Sequence, residues 1–183
     1  MDSLKGQLLI AGADLLDPNF RRAVVLVTEH GDDGALGLVL NRPAVTTVDE
    51  AVPGLTPLVG VGDPVYVGGP MDQDSVLVLA EFAEPDADAA ASTVFEDVGF
   101  VRGDADLDLA ASAIRRARVF AGYAGWSAGQ LDAEVEADGW ILAPAQLEDV
   151  FGDDAEELWS DVLRRKGGPY AFLATMPPDP SLN

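Results

Sequence analysis

The chain contains no cysteine. That absence excludes disulfides, thiol nucleophiles, thiolate zinc sites and thiol redox sensing. Histidine is nearly as scarce, with His30 the single one. No apolar stretch approaches the ~20 residues that a membrane-spanning helix needs. The opening MDSLKGQLLIAGADLLDPNF has an acidic second residue and only a short apolar run, Leu8 to Ala11, which is neither a signal nor a transit peptide. A cytoplasmic protein without a membrane partner is the expectation. Basic residues are few: 11 Lys+Arg stand against 32 Asp+Glu, a formal net charge of −21. Such a molecule repels phosphate backbones and has no basic run to overcome that field, so no direct nucleic-acid partner is expected. The densest basic clusters, Arg115-Arg116-Ala117-Arg118 and Arg164-Arg165-Lys166, fall near the ends of predicted helices, where cations complement the helix dipole.

What the chain does have is a core. Hydrophobic residues make up 48% of 183 positions, and a chain of that length buries roughly 70% of its unfolded surface. One domain over 1–183 is expected, with a loose tail at 177–183. Apolar and β-branched runs predict strands at 6–11, 22–29, 35–43, 65–68, 75–80, 98–101, 118–126, 140–145 and 169–176. The turn cluster His30 to Gly34 makes 22–43 a β-hairpin, closed by Pro43. Thr47…Glu50 and Ser127…Gln130 fit capping boxes for two short helices, and Gly139 is placed to end the second in a left-handed conformation. Leu107, Ala110, Ala111 and Ile114 predict a helix over 106–117. Residues 153–166 form the clearest helix, capped by Asp153 and stopped by Gly167-Gly168-Pro169. Residues 84–92 are small and acidic, a candidate mobile loop. Strands outnumber helices and no regular crossover helices separate them, which predicts a mixed, largely antiparallel α+β fold.

Several blocks then stand together: Asp17-Pro18-Asn19-Phe20, Glu29-His30, Gly34-Ala35-Leu36-Gly37, Asn41-Arg42-Pro43, VYVGGPM at 65–71 and FAGYAGWSAGQLDAEVEADGWIL at 120–142. Their content and order resemble the AlgH/YqgE family of bacterial proteins over nearly the whole chain. The resemblance implies one domain whose bent, mixed sheet forms a pseudo-barrel with flanking helices. It also brings a transcriptional-regulator label that rests on phenotype more than on a DNA-binding motif, and no established biochemical activity. The chain departs from the family pattern at Leu79-Ala80, where many relatives carry a histidine, and at Ser127-Ala128, where Gly-Pro is usual.

Candidate chemistry is sparse. Gly125-Trp126-Ser127-Ala128-Gly129 matches the nucleophile-elbow pattern, but that fold needs a histidine downstream of the serine and His30 lies far upstream. The glycines at 122, 125 and 129 meet neither phosphate-loop spacing. Asp104, Asp106 and Asp108 start like a calcium loop, yet Leu109 and Arg115 stand where Gly and Glu are required. No catalytic residue, metal or cofactor is therefore predicted. The candidates for ligand or partner binding are Glu29, His30, Asn41, Arg42 and Trp126, the last as an interface anchor if exposed. The leading expectation is a non-enzymatic regulatory or protein-interaction role. The alternative is a small-molecule binder or enzyme using polar groups near His30, Asn41 and Arg42.

Overall fold

The computed structural model describes residues 2–84 and 88–176. In chain order these form β1 (Gln7–Ala11), β2 (Val24–Gly31), β3 (Gly34–Val39), β4 (Pro43–Thr47), α1 (Val48–Ala51), a 3₁₀ helix (Pro53–Leu58), β5 (Pro64–Val67), β6 (Met71–Phe82), β7 (Ala90–Phe95), β8 (Val98–Val101), α2 (Leu107–Ala113), β9 (Ile114–Ser127), α3 (Gln130–Glu136), β10 (Trp140–Pro144), α4 (Leu147–Phe151), α5 (Leu158–Lys166) and α6 (Pro169–Leu173). The fold is α+β. Its sheet, ordered β10-β1-β2-β3-β9-β6-β8-β7, curls into a half-barrel. All pairs are antiparallel except β5 with β9. Among the described residues no helix is long and apolar enough to cross a membrane.

Strand β9 organises the sheet. Its first half pairs with β6, from Phe82↔Ile114 to Val76↔Ala121, and its end pairs with β3, from Gly37↔Ala124 to Gly34↔Ser127. Between them β5 joins in parallel at Tyr66↔Phe120 and Val67↔Ala121. Three strands meet there only because side chains are missing. A Cβ on Gly69 would overlap the Tyr123 carbonyl, and one on Gly122 (φ 76°) would come within 2.7 Å of the Gly69 oxygen. The Gly68 amide donates to Ala121 at 2.9 Å, and the Gly68 oxygen accepts from Val39 at 2.8 Å. The VYVGGPM and FAGYAGW blocks are thus two sides of one crossing.

Strands β1 and β2 are buried on both faces, which explains their unbroken apolar runs. Leu8, Ile10, Leu26, Leu38 and Phe120 pack with Trp159, Val162 and Leu163 of α5. On the opposite face Leu9, Val25 and Val39 pack with Trp126, Trp140 and Leu131 of α3. A third cluster joins Val48, Leu58, Val78, Ala110 and Val119.

Several expectations are corrected. Helix α2 stops at Ala113, and Arg115, Arg116 and Arg118 lie on β9: the cross-strand pairing with β6 outweighs the helical spacing of Ile114. The predicted last strand is helix α6, with Pro169 at its first position and Ala and Leu within it. Ser127 ends β9 and Gly129 is the N-cap of α3, so the box forms only in reverse: Gln130 Oε1 accepts from the Ser127 amide at 3.0 Å. Helix α1 forms without a cap bond from Thr47. Asp138 (φ 60°), not Gly139, takes the left-handed position. Helix α5 begins at Leu158, after a turn in which Asp154 rather than Asp153 accepts from the Glu157 amide at 3.2 Å. Within the candidate mobile loop, 90–92 opens β7. Residues 85–87 and 177–183 lie outside the described residues.

Candidate functional site

The candidate residues fall at opposite ends of the β2–β3 hairpin. At the open end, Asn41 acts as a surrogate strand residue. Its Oδ1 accepts from the Val24 amide at 3.0 Å, and its Nδ2 donates to the Arg22 carbonyl at 2.9 Å. Arg42 reaches back into the turn built by Asp17-Pro18. It donates to the carbonyls of Pro18 (3.1 Å), Asn19 and Arg21 (2.9 Å). A planar fork of donors suits three carbonyls converging from one tight loop. Burial holds the Arg42 pKa below its ordinary value, with Asp17 opposing that shift. The N-R-P and D-P-x-F blocks are therefore two halves of one clasp.

At the closed end, His30 is held from both sides. Its Nδ1 accepts from the Leu4 amide at 2.9 Å, which places the ring proton on Nε2, 3.0 Å from Asp132 Oδ1 of α3. That approach is close in distance but lacks hydrogen-bond alignment, and Asp132 Oδ1 has no other hydrogen-bond partner among the described residues. The imidazole is 4% exposed. Glu29 is exposed beside it. Ser127 donates its hydroxyl to Gln130 at 3.2 Å. Both His30 nitrogens face other groups, so no serine–histidine pair exists among the described residues.

Trp126 is 7% exposed and belongs to the core. It packs against Phe20 at 6.4 Å and edge-on to Trp140 at 6.3 Å, and Phe20 meets Trp140 at 5.7 Å. Glu134 Oε1 accepts from both indoles, at 3.2 Å from Trp126 and 3.0 Å from Trp140. The exposure that an interface anchor requires is missing.

Glu29, His30 and Trp126 do share a shallow depression of about 390 Å³ with Asp32, Asp33 and Leu36. Asn41 and Arg42 do not join it: from Arg22 to His30 is eight residues of strand, roughly 26 Å when extended. Among the described residues no group of three or more His, Asp or Glu could hold a metal. Asp132, Glu134 and Phe20 complete these arrangements; all three lie within the sequence blocks but none was a site candidate. Phe20 and Asp132 meet partners far along the chain, whereas Glu134 reaches indoles on the strands just before and just after its helix.

Comparison with known proteins agrees with this architecture. The family model described as AlgH-like matches residues 8–171. A UPF0301 protein of Rhodococcus jostii is 41% identical over 181 residues, covering 97% of this chain and 90% of that protein. A UPF0301 protein of Mycobacterium avium is 42% identical with the same coverage. A crystal structure of a Corynebacterium diphtheriae protein superposes with a TM-score of 0.88 at 28% identity, covering 96% of this chain and 93% of that one. The solution structure of AlgH from Pseudomonas aeruginosa gives 0.73 at 30% identity, covering 96% and 95%. The chain belongs to the AlgH-like, UPF0301 family, whose biochemical function is not established.

Proposed function

We propose that this protein acts without catalysis, as a regulatory protein that binds a protein partner and does not contact DNA directly. The observation that carries this reading is that most of its reactive-looking polar atoms are already engaged within the fold. The three carbonyls of the 18–21 turn occupy Arg42, the strand backbone occupies Asn41, and Leu4 and Asp132 flank His30. An enzyme or ligand site built from these three residues would have to break bonds that hold the hairpin. The net charge of −21 favours a basic partner surface. Glu29, Asp32 and Asp33 at the tip of β2–β3, beside half-exposed Leu36, are the part of the candidate site that stays open to one.

The test pairs partner capture with a charge reversal. Proteins captured from native cells are purified and titrated against the wild type and against an Asp32→Lys, Asp33→Lys variant. The expected result is a basic partner that loses affinity for the variant and whose binding weakens with salt, since screening acts over about 8 Å at physiological ionic strength. A DNA titration at low and physiological salt runs beside it. Sequence-selective DNA binding by the purified protein, weakening with salt, would overturn the proposal.

A further inference from the structure

A second depression lies where β5 stops short. Strand β6 covers one edge of β9 from Ile114 to Ala121, but β5 pairs with the other edge only at Phe120 and Ala121. Pro64 has no amide proton to carry that ladder further. The open edge at 115–119 faces the 58–63 segment across a cleft of about 330 Å³, which continues into a recess of about 40 Å³ beside Tyr66.

Three arginines line this cleft, in a chain with 11 basic residues in all. They are not equivalent. Arg116 is neutralised by Glu148 at 2.7 Å and Glu81 at 3.5 Å. Arg118 has no ion pair among the described residues. It donates to the carbonyls of Val150 and Gly152 and lies over the Tyr66 ring, 4.4 Å from the centroid. Burial lowers its pKa, and the nearby Tyr66, Asp63 and Asp153 oppose that shift. Arg115 is exposed and makes no hydrogen bond or ion pair among the described residues. Tyr66 is 5% exposed, lines the inner recess, and its hydroxyl has no hydrogen-bond partner among the described residues.

We propose that this cleft binds a small phosphomonoester, its phosphoryl group held between Arg115 and Arg118 with the Tyr66 hydroxyl as a further donor. Two guanidinium groups without a direct ion pair favour an anion with several acceptors, and a phosphomonoester carries about −1.5 to −2 at neutral pH, with three acceptor oxygens. Arg118, clamped by two carbonyls and an aromatic ring, is already oriented, so little order is lost on binding. Asp63 and Asp153 stand on the rim, and Asp63 Oδ2 is engaged by the Gly60 amide at 2.8 Å. They oppose a bare anion and favour a ligand whose other end is cationic or donates hydrogen bonds. The site is separate from the hairpin tip, and its test does not depend on the partner-binding reading.

The experiment is a titration of ¹⁵N-labelled protein with O-phosphoethanolamine, inorganic phosphate and acetate, followed by amide chemical shifts. Shifts confined to 58–66, 115–119 and 150–153 are expected, with phosphoethanolamine tightest and acetate weakest. Arg115→Ala should weaken binding about tenfold, the loss of one charge-assisted contact, with thermal stability unchanged. Tyr66→Phe should weaken it about threefold, the loss of one modest hydrogen bond. These two variants keep the proposal testable even if Arg118→Ala, which loosens the turn after α4, does not fold. Absence of saturable shifts, equal binding of acetate and phosphoethanolamine, or affinity indifferent to both substitutions overturns it.

Discussion

Replacing Arg42 by alanine tests whether the N-R-P block is a clasp or a site. The substitution removes three charge-assisted hydrogen bonds, to the carbonyls of Pro18, Asn19 and Arg21. Hydrogen bonds from charged donors contribute about 1.5–3 kcal/mol each when the abandoned partner stays buried, and far less where water replaces the donor. The carbonyls of Pro18 and Asn19 accept in exposed positions, whereas that of Arg21 accepts in a partly buried one. One bond therefore counts nearly in full and two count weakly, a loss of about 3 kcal/mol. For a domain of this length that lowers Tm by roughly 6–12 °C. Arg42→Lys should recover less than half, because an ammonium is a point donor and does not span three carbonyls. The loss should also be local. Phe20 follows the clasped turn and packs on both Trp126 and Trp140, so loosening the turn should change tryptophan emission before global unfolding. Thermal circular dichroism, tryptophan fluorescence and hydrogen exchange of the 17–21 amides read these effects. An Arg42→Ala protein that melts within about 1 °C of wild type, or complete rescue by lysine, would refute the clasp.

Four other outcomes follow from the same geometry. Gly69→Ala forces a Cβ into the Tyr123 carbonyl and should cost about 3 kcal/mol or more, measured by urea unfolding, whereas Gly54→Ala, with open space around it, should not. Glu134→Ala strips the acceptor from two indole N–H groups and should cost about 2–4 kcal/mol with a changed near-ultraviolet dichroism, and Glu134→Gln should cost less because one oxygen remains. Ser127→Ala should change stability by less than about 0.5 kcal/mol, because Ser127 is not the helix cap and Gln130 still accepts from its amide. His30→Ala leaves the Leu4 amide without its acceptor and should free the N-terminal segment, seen as faster tryptic cleavage after Lys5. Equal cleavage rates would show that Leu4 is held by packing alone.

The strands were readable where their runs were buried on both faces. Ile10, Val24 to Val27 and Leu38 to Leu40 are apolar without interruption, and no alternation had to be interpreted. The misreadings share one cause. Leu107, Ala110, Ala111 and Ile114 have helical spacing, yet Ile114 pairs with Phe82 thirty-two positions earlier, and nothing local reports that pairing. PYAFLATM carries no β-branched residue before Thr175, so its propensity was helical, and the strand reading gave too much weight to its aromatic rings. At the candidate site the types of residue were visible but their partners were not. An arginine between Asn and Pro at a strand end signals a fork needing acceptors, and Arg42 finds three carbonyls. The same local view could not see that Glu134 collects two indoles, since Trp126 and Trp140 reach it from two different strands.

That contrast bears on where function should be sought. The blocks that mark this chain as AlgH-like are largely scaffolding: Asn41-Arg42-Pro43 fastens Asp17 to Phe20, Gly68-Gly69 crosses Gly122-Tyr123, and Trp126 is plugged by Glu134. A motif recurs when backbone geometry demands it, and demand for geometry is not demand for chemistry. Groups that make no ion pair lie at the edges of those blocks, at Arg115, Arg118 and Tyr66, and exposed carboxylates lie at the tip of the β2–β3 hairpin. They share a physical origin. Each lies where a strand ladder ends, at Pro64 in one case and at the turn from Gly31 to Gly34 in the other, so backbone and side-chain donors or acceptors are left facing water. The two openings differ in polarity, one with three arginines beside Asp63 and Asp153 and one with carboxylates and no basic side chain other than His30. A basic partner docked at the hairpin tip would leave the arginine cleft free, and an anion in the cleft would leave the tip free. Binding at the two places should therefore be additive, unless β9, which runs from Arg115 to Trp126 and forms a wall of both, transmits strain between them. Titrating the partner with and without O-phosphoethanolamine measures that coupling: equal affinities mean independent sites, and a changed affinity means that β9 carries a signal.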